Sequence, residues 1–180
     1  MAGPNRNFRQ KRIDLNQVGE AGFVLALLAD GFDVPDFNRA AHEAERAGFR
    51  TLIASPNKSL VSGRSETREE MNFVVDTPPG DVSSEKFEGL VIPGGERSTK
   101  ALLASQDIRL LVHDFLKSGK PVLVTGEALE LLSELSEKEG VEGDAALAMR
   151  GEVFAGSGED AAESATAAFA DALSMVSQAA

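Results

Sequence analysis

Three short segments put carboxylates and glycines together where chemistry could be done: Asp30-Gly31-Phe32-Asp33, Pro93-Gly94-Gly95-Glu96 and Thr125-Gly126-Glu127. Each follows an apolar run of the kind that forms a strand buried on both faces. In open α/β sheets, ligands bind beyond the carboxyl ends of such strands. Carboxylates sharing one site repel, so one can hold a proton and act as a general acid or base, or several can hold a cation. The third segment lies in Pro121-Val122-Leu123-Val124-Thr125-Gly126-Glu127-Ala128-Leu129, which reads as a buried strand turning sharply into a helix. In many α/β enzymes that turn presents a nucleophile. Here the position is Gly126, which has no side chain, and the chain contains no cysteine.

Other reacting groups are few. Thr125 and Ser98 carry hydroxyls near the strand ends, but a hydroxyl nucleophile needs a neighbouring base held by a third group. The two histidines are His42, beside Ala41 and Glu43, and His113, next to Asp114. Neither falls at a strand end, and both read as surface residues. Gly94-Gly95 resembles a phosphate-cradling turn, although acidic neighbours disfavour phosphate. Glu127 has two readings. A carboxylate in the first turn of a helix complements its dipole by about 0.3–1 kcal/mol. It could equally be an acid/base group or ligand contact on which Asp33 and Glu96 converge. No spacing of metal ligands supports a metal site, and no cofactor motif is present.

The elements that must position these loops alternate between strand and helix. Gly22 to Ala29 is a continuous apolar run. A helix is predicted from Pro35 to Ala47, with Phe37, Ala40, Ala41, Ala44 and Ala47 as its stripe and Gly48 as its stop. Phe49 to Ser55 reads as a strand, residues 56–71 as a loop or hairpin excursion, and Asn72 to Asp76 as a short strand. Thr77-Pro78-Pro79-Gly80 is turn chemistry. Glu88 to Pro93 is another buried strand. Two helical stretches follow, the second from Asp107 to Ser118 with Ile108, Leu111, Val112, Phe115 and Leu116 on one face. The strand Val122 to Thr125 leads into a helix over Glu127 to Leu135. Residues 136–144 read as a charged loop, with short strands at Ala145 to Met149 and Glu152 to Ala155. A last Ala-rich helix starts after Ser157 in capping-box style. This alternation predicts a doubly wound α/β domain with a mostly parallel sheet.

Composition bounds the rest. At 180 residues the chain suits one core, expected over residues 21–180 behind a flexible tail at 1–20. A net charge of −11 argues against general nucleic-acid binding. No apolar run reaches the roughly 20 residues of a membrane helix. The absence of cysteine and of a signal-type apolar stretch predicts a cytoplasmic protein. Arg6, Arg9, Lys11 and Arg12 cluster in the tail, which is either simply solvated or a docking arm for an acidic protein partner.

The segment Gly89-Leu90-Val91-Ile92-Pro93-Gly94-Gly95, the helix ending at Gly119-Lys120-Pro121-Val122 and the elbow resemble the ThiJ/PfpI superfamily, over about residues 22–135. The resemblance implies a class I glutamine amidotransferase-like, flavodoxin-like fold: a three-layer α/β/α sandwich. It also implies a homodimer. Enzymatic members place Cys at the elbow, often followed by His-Gly, where this chain has Gly126, Glu127 and Ala128. The family glutamate that contacts that cysteine aligns with Asp33, and the Gly94-Gly95 loop corresponds to an oxyanion hole. A closer similarity is to the C-terminal domain of large-subunit catalases, in Thr125-Gly126-Glu127-Ala128-Leu129-Glu130-Leu131-Leu132, in Pro93 to Ser98 followed by Ala101-Leu102-Leu103-Ala104, and in Arg150 to Ala155. That similarity implies a non-catalytic domain with a binding, assembly or stress-related role. The alternative is a hydrolase- or lyase-type enzyme, or a small-ligand or cation binder, using Glu127 and Asp33. The ligand-binding candidates are Asp30, Asp33, Gly94, Gly95, Glu96, Thr125, Gly126 and Glu127.

Overall fold

The computed structural model describes residues 22–138 and 153–179. Five parallel strands form the central sheet: β1 (Phe23–Leu27), β3 (Arg50–Ala54), β6 (Gly89–Ile92), β7 (Val122–Thr125) and β8 (Val153–Gly156), in the order β3-β1-β6-β7-β8. The sequence expectation of a mostly parallel sheet between helices holds. The strands read as unbroken apolar runs because both faces are covered. Leu25, Leu27, Leu90, Ile92, Val122 and Val124 face one way, onto Leu102, Ile108, Phe115 and Leu131 of α2 (Glu96–Ala104), α3 (Gln106–Ser118) and α4 (Leu129–Lys138). Val24, Ala26, Val91 and Leu123 face the other way, onto α1 (Val34–Arg46) and α5 (Glu159–Ala179) through Phe37, Ala40, Ala44, Phe169 and Leu173. Period-two alternation thus splits the core into two apolar layers around one sheet.

The excursion at 56–71 is a hairpin. β4 (Leu60–Arg64) and β5 (Glu70–Val74) pair antiparallel, and β4 pairs parallel with the two-residue β2 (Phe32–Asp33). β5 begins and ends two residues before the expected strand, because its register is set by pairing with β4 and its mostly exposed residues give no clear alternation. Val61 is buried, and Phe73 packs edge-on against both Phe32 and Phe37, which seats the hairpin over α1. The helix predicted from Pro35 begins one residue earlier, with Asp33 as its N-cap. The helix predicted from Glu127 begins with a 3-10 turn at Gly126–Ala128 and becomes α-helical at Leu129. That helix runs on to Lys138, three residues into the stretch 136–144 expected as a loop, because the helical turn continues through the charged residues; the rest of that loop, the predicted strand at Ala145 to Met149 and the tail lie outside the described residues. No helix among the described residues is long and apolar enough to cross a membrane.

One lysine ties the approach to β6 to the start of β7. The Lys120 ammonium donates to the carbonyls of Ser84 at 2.9 Å and Phe87 at 2.7 Å. Hydrogen bonds to a charged group contribute about 1.5–3 kcal/mol each, so Lys120→Met is expected to lower the unfolding free energy in urea by about 2 kcal/mol. The urea m-value should stay unchanged, since the folded surface is the same.

Candidate functional site

Strand order creates the site. β1 is flanked by β3 on one side and β6 on the other, so the chain's connections leave β1 in opposite directions, and a crevice opens at its carboxyl end. The three predicted loops meet there and are stitched by hydrogen bonds. The backbone N–H of Asp33 donates to the Gly94 carbonyl at 2.8 Å. The N–H of Gly94 donates to Thr125 Oγ1 at 3.2 Å. The N–H of Gly95 donates to Glu127 Oε2 at 2.8 Å. Both amides of the Gly94-Gly95 loop are therefore satisfied by the side chains on either side of Gly126. Gly95 has φ +117°, and a Cβ there would run into the Gly31 carbonyl, so this close approach of two backbones requires glycine. Gly126 has φ +55°, the left-handed conformation of a sharp strand-to-helix turn.

The acid that reaches the elbow is Asp36. Asp33, expected at the place of the family glutamate, is the N-cap of α1. The Asp33 carboxylate is spent on the Asp36 N–H at 3.1 Å, as helix N-cap, though it still borders the cleft. Asp36, in the first turn of α1, lies near the buried Thr125 hydroxyl, which favours its charged form, and 3.6 Å from Arg39 Nη1. Burial pushes the Asp36 carboxyl above its ordinary pKa, and the negative charges of Asp33 and Glu127 push it further; the Thr125 hydroxyl and Arg39 oppose them. The sequence did carry a signal for this residue. Asp33 and Asp36 are spaced as N-cap and third helical residue, so the first caps while the second is free to face the crevice.

The cleft above the elbow has a volume of about 560 Å³. Asp33, Gly95, Glu96 and Glu127 line it, as expected, together with three cations that sequence reasoning missed: Arg64, Arg97 and Lys100. Arg64 could have been suspected only from the hairpin register, which sets it opposite Asp33. Asp30 does not line the cleft. Its Oδ1 accepts from Asn57 Nδ2 and from the Ser62 N–H, both at 2.9 Å, and so anchors the hairpin. The exposed Glu96 pairs with Lys100 at 2.6 Å, which lowers the Glu96 pKa and raises that of Lys100. His42 is exposed and His113 lies 3.9 Å from Asp114, both away from the cleft. Among the described residues no group of three His, Asp or Glu side chains is arranged to hold a metal ion.

This arrangement offers carboxylates for proton transfer and cations for holding an anion. It offers no nucleophile at Gly126, and the amides that could stabilise an oxyanion already hold side-chain oxygens.

Comparison with known proteins agrees with the fold. Residues 23–172 match the model of the DJ-1/PfpI family. A deglycase of Thermococcus kodakarensis is 23% identical over 130 residues, covering 72% of this chain and 75% of that protein. The ThiJ/PfpI domain protein of Brachyspira murdochii superposes with a TM-score of 0.69 at 16% identity, over 87% of this chain and 99% of that one. DJ-1beta of Drosophila melanogaster superposes with a TM-score of 0.65 at 20% identity, over 88% and 95%.

The raised pKa of Asp36 makes a stability prediction. The folded state binds this proton more tightly than the unfolded state, so ionising Asp36 opposes folding. The cost is absent below the unfolded pKa and complete above the folded one. Asp36→Asn should therefore raise Tm at pH 7, and the gain should shrink as pH falls through the folded pKa and vanish near the unfolded value of 3.8. Thermal melts of both proteins between pH 3 and 8 measure this.

Proposed function

The chain belongs to the DJ-1/PfpI family, and from that membership we propose a member that binds a small ligand at the strand-end cleft without nucleophilic turnover. The observation that carries this reading is the contact of Glu127 Oε2 with the Gly95 N–H at 2.8 Å. The amide that would stabilise an oxyanion holds a carboxylate of the protein itself, and the elbow residue beneath it is glycine. The name of the Thermococcus relative suggests deglycase activity, but a covalent route through the elbow would need a thiol that this chain does not contain. The resemblance of the Thr125-Gly126-Glu127 elbow to the catalase C-terminal domain supports the same non-catalytic reading, with a role in assembly or stress-related binding.

A second reading keeps chemistry but changes its kind. Asp36, Asp33 and Glu127 share one electrostatic environment, and Asp36 holds its proton more tightly than an ordinary carboxyl. Such a group suits general acid/base catalysis on a small polar substrate. One assay separates the two. Incubation with α-oxoaldehydes, p-nitrophenyl esters and amides should give no rate above buffer. A robust rate abolished by Glu127→Gln or Asp36→Asn would replace the binding reading with the acid/base one.

We also propose that the protein self-associates. Leu60 and Val74 face one another across the β4–β5 pair and are 52% and 55% exposed, an unusual amount of apolar surface for two adjacent strand positions. Light scattering should report twice the 19.0 kDa chain mass, and a species of 19.0 kDa alone would refute this. Docking of an acidic partner on the basic segment Arg6 to Arg12 belongs to the same proposal.

A further inference from the structure

The cleft carries cations that the elbow does not use. Arg64 comes from the end of β4, and Arg97 from the first turn of α2, with its stem against Gly31. Both line the cleft, and among the described residues neither has a carboxylate within ion-pair distance. Lys100 differs, since Glu96 holds it. A guanidinium is planar and presents paired N–H donors that match the two oxygens of a carboxylate. Two of them line one cleft with no carboxylate partner among the described residues.

The same cleft already holds a carboxylate on a backbone amide. Glu127 places its own on the Gly95 N–H at 2.8 Å, and that hydrogen bond is exposed to solvent. An exposed hydrogen bond between an amide and a mobile side chain exchanges at small net cost, because an incoming carboxylate restores what is lost. The cleft volume of about 560 Å³ lies within the roughly 300–1,000 Å³ typical of small-molecule sites. Charge sets the class of ligand. Asp33 and Glu127 border the same space, so a compact dianionic phosphate would concentrate charge beside them. A linear dicarboxylate separates its two charges.

We propose that the cleft is a receptor for a small dicarboxylate, one end forked by Arg64 and Arg97 and the other replacing the Glu127 carboxylate on the Gly95 N–H. This rests on the reading of the site as a binding cleft and names its ligand. Glu127 then acts as an internal competitor that covers the amide when no ligand is bound.

Succinate is the probe. Titration of the full chain at low salt, followed by amide NMR, should show saturable binding with the Gly95 resonance among those that move. Arg64→Ala and Arg97→Ala should each weaken binding by about tenfold, the loss of one charge-assisted hydrogen bond. Glu127→Ala should tighten it. The same spectra report whether each variant is folded. Failure of succinate to bind both the native protein and Glu127→Ala overturns the proposal. So does binding that both arginine variants leave undiminished, or tighter binding of inorganic phosphate than of succinate. Turnover of esters or aldehydes would overturn the non-catalytic reading instead, a result separable from any outcome of the titration.

Discussion

The interaction on which this site depends is the pair of hydrogen bonds from Gly94 and Gly95 to the side chains flanking Gly126. The Gly94 N–H is buried and needs a partner, because an unpaired donor shielded from water costs about 1–3 kcal/mol, whereas the Gly95 N–H is exposed and takes Glu127 in place of water. In this chain Thr125 and Glu127 are the two acceptors, at 3.2 and 2.8 Å. The consequences spread outward. The Gly94 carbonyl takes the Asp33 N–H, which fixes where α1 begins. Gly95 is the N-cap of α2, which fixes where Arg97 and Lys100 project. The buried Thr125 hydroxyl thus links the β6 loop to the β7 elbow, and it lies near enough to Asp36 to influence its ionisation.

That clasp crowds charge. Asp33 and Glu127 are close enough to raise the proton affinity of Asp36, and among the described residues only Arg39 opposes them with positive charge. A fold selected for stability alone would not bury a carboxyl half-shielded from water between two others. Retaining it is the kind of local cost that accompanies a site adapted to a ligand. Arg64 and Arg97, which line the cleft with no ion-pair partner among the described residues, show the same imbalance with the opposite sign.

Much of the fold was legible in the chain. Strands covered on both faces leave continuous apolar runs, and Val122 to Thr125 was recovered residue for residue. The hairpin was only half visible. β5 is exposed along most of its length, and its pairing with β4 rests on Phe73 reaching Phe32 and Phe37, a contact that no local pattern encodes. The site followed the same division. Loops at strand ends could be named from sequence because strand ends are marked by glycine and acid. Capping spacing separates Asp33 from Asp36, but that Asp30 turns away from the cleft could not be read, because it depends on hydrogen bonds to Asn57 and Ser62, both distant in the chain. Arg64 was invisible for a related reason: it reaches the cleft only through the register of β4 beside β2.

Glycine at the elbow and glutamate after it are best understood as one state rather than two independent changes. Suppose a thiol stood at residue 126. A carboxylate on the Gly95 amide would then compete with any developing oxyanion for its donor, and its charge would disfavour the thiolate that must form first. Conversely, an elbow with no nucleophile has no oxyanion to stabilise, and its loop amides are left to other acceptors. Glu127 is one of them, through a bond that stays exposed and exchangeable. The elbow geometry survives with its left-handed turn because the turn serves the packing of β7 onto α4, which is needed whether or not anything reacts there. The family's scaffold therefore does not require the thiol, and in this chain the loop amides that flank the elbow hold the Thr125 and Glu127 side chains.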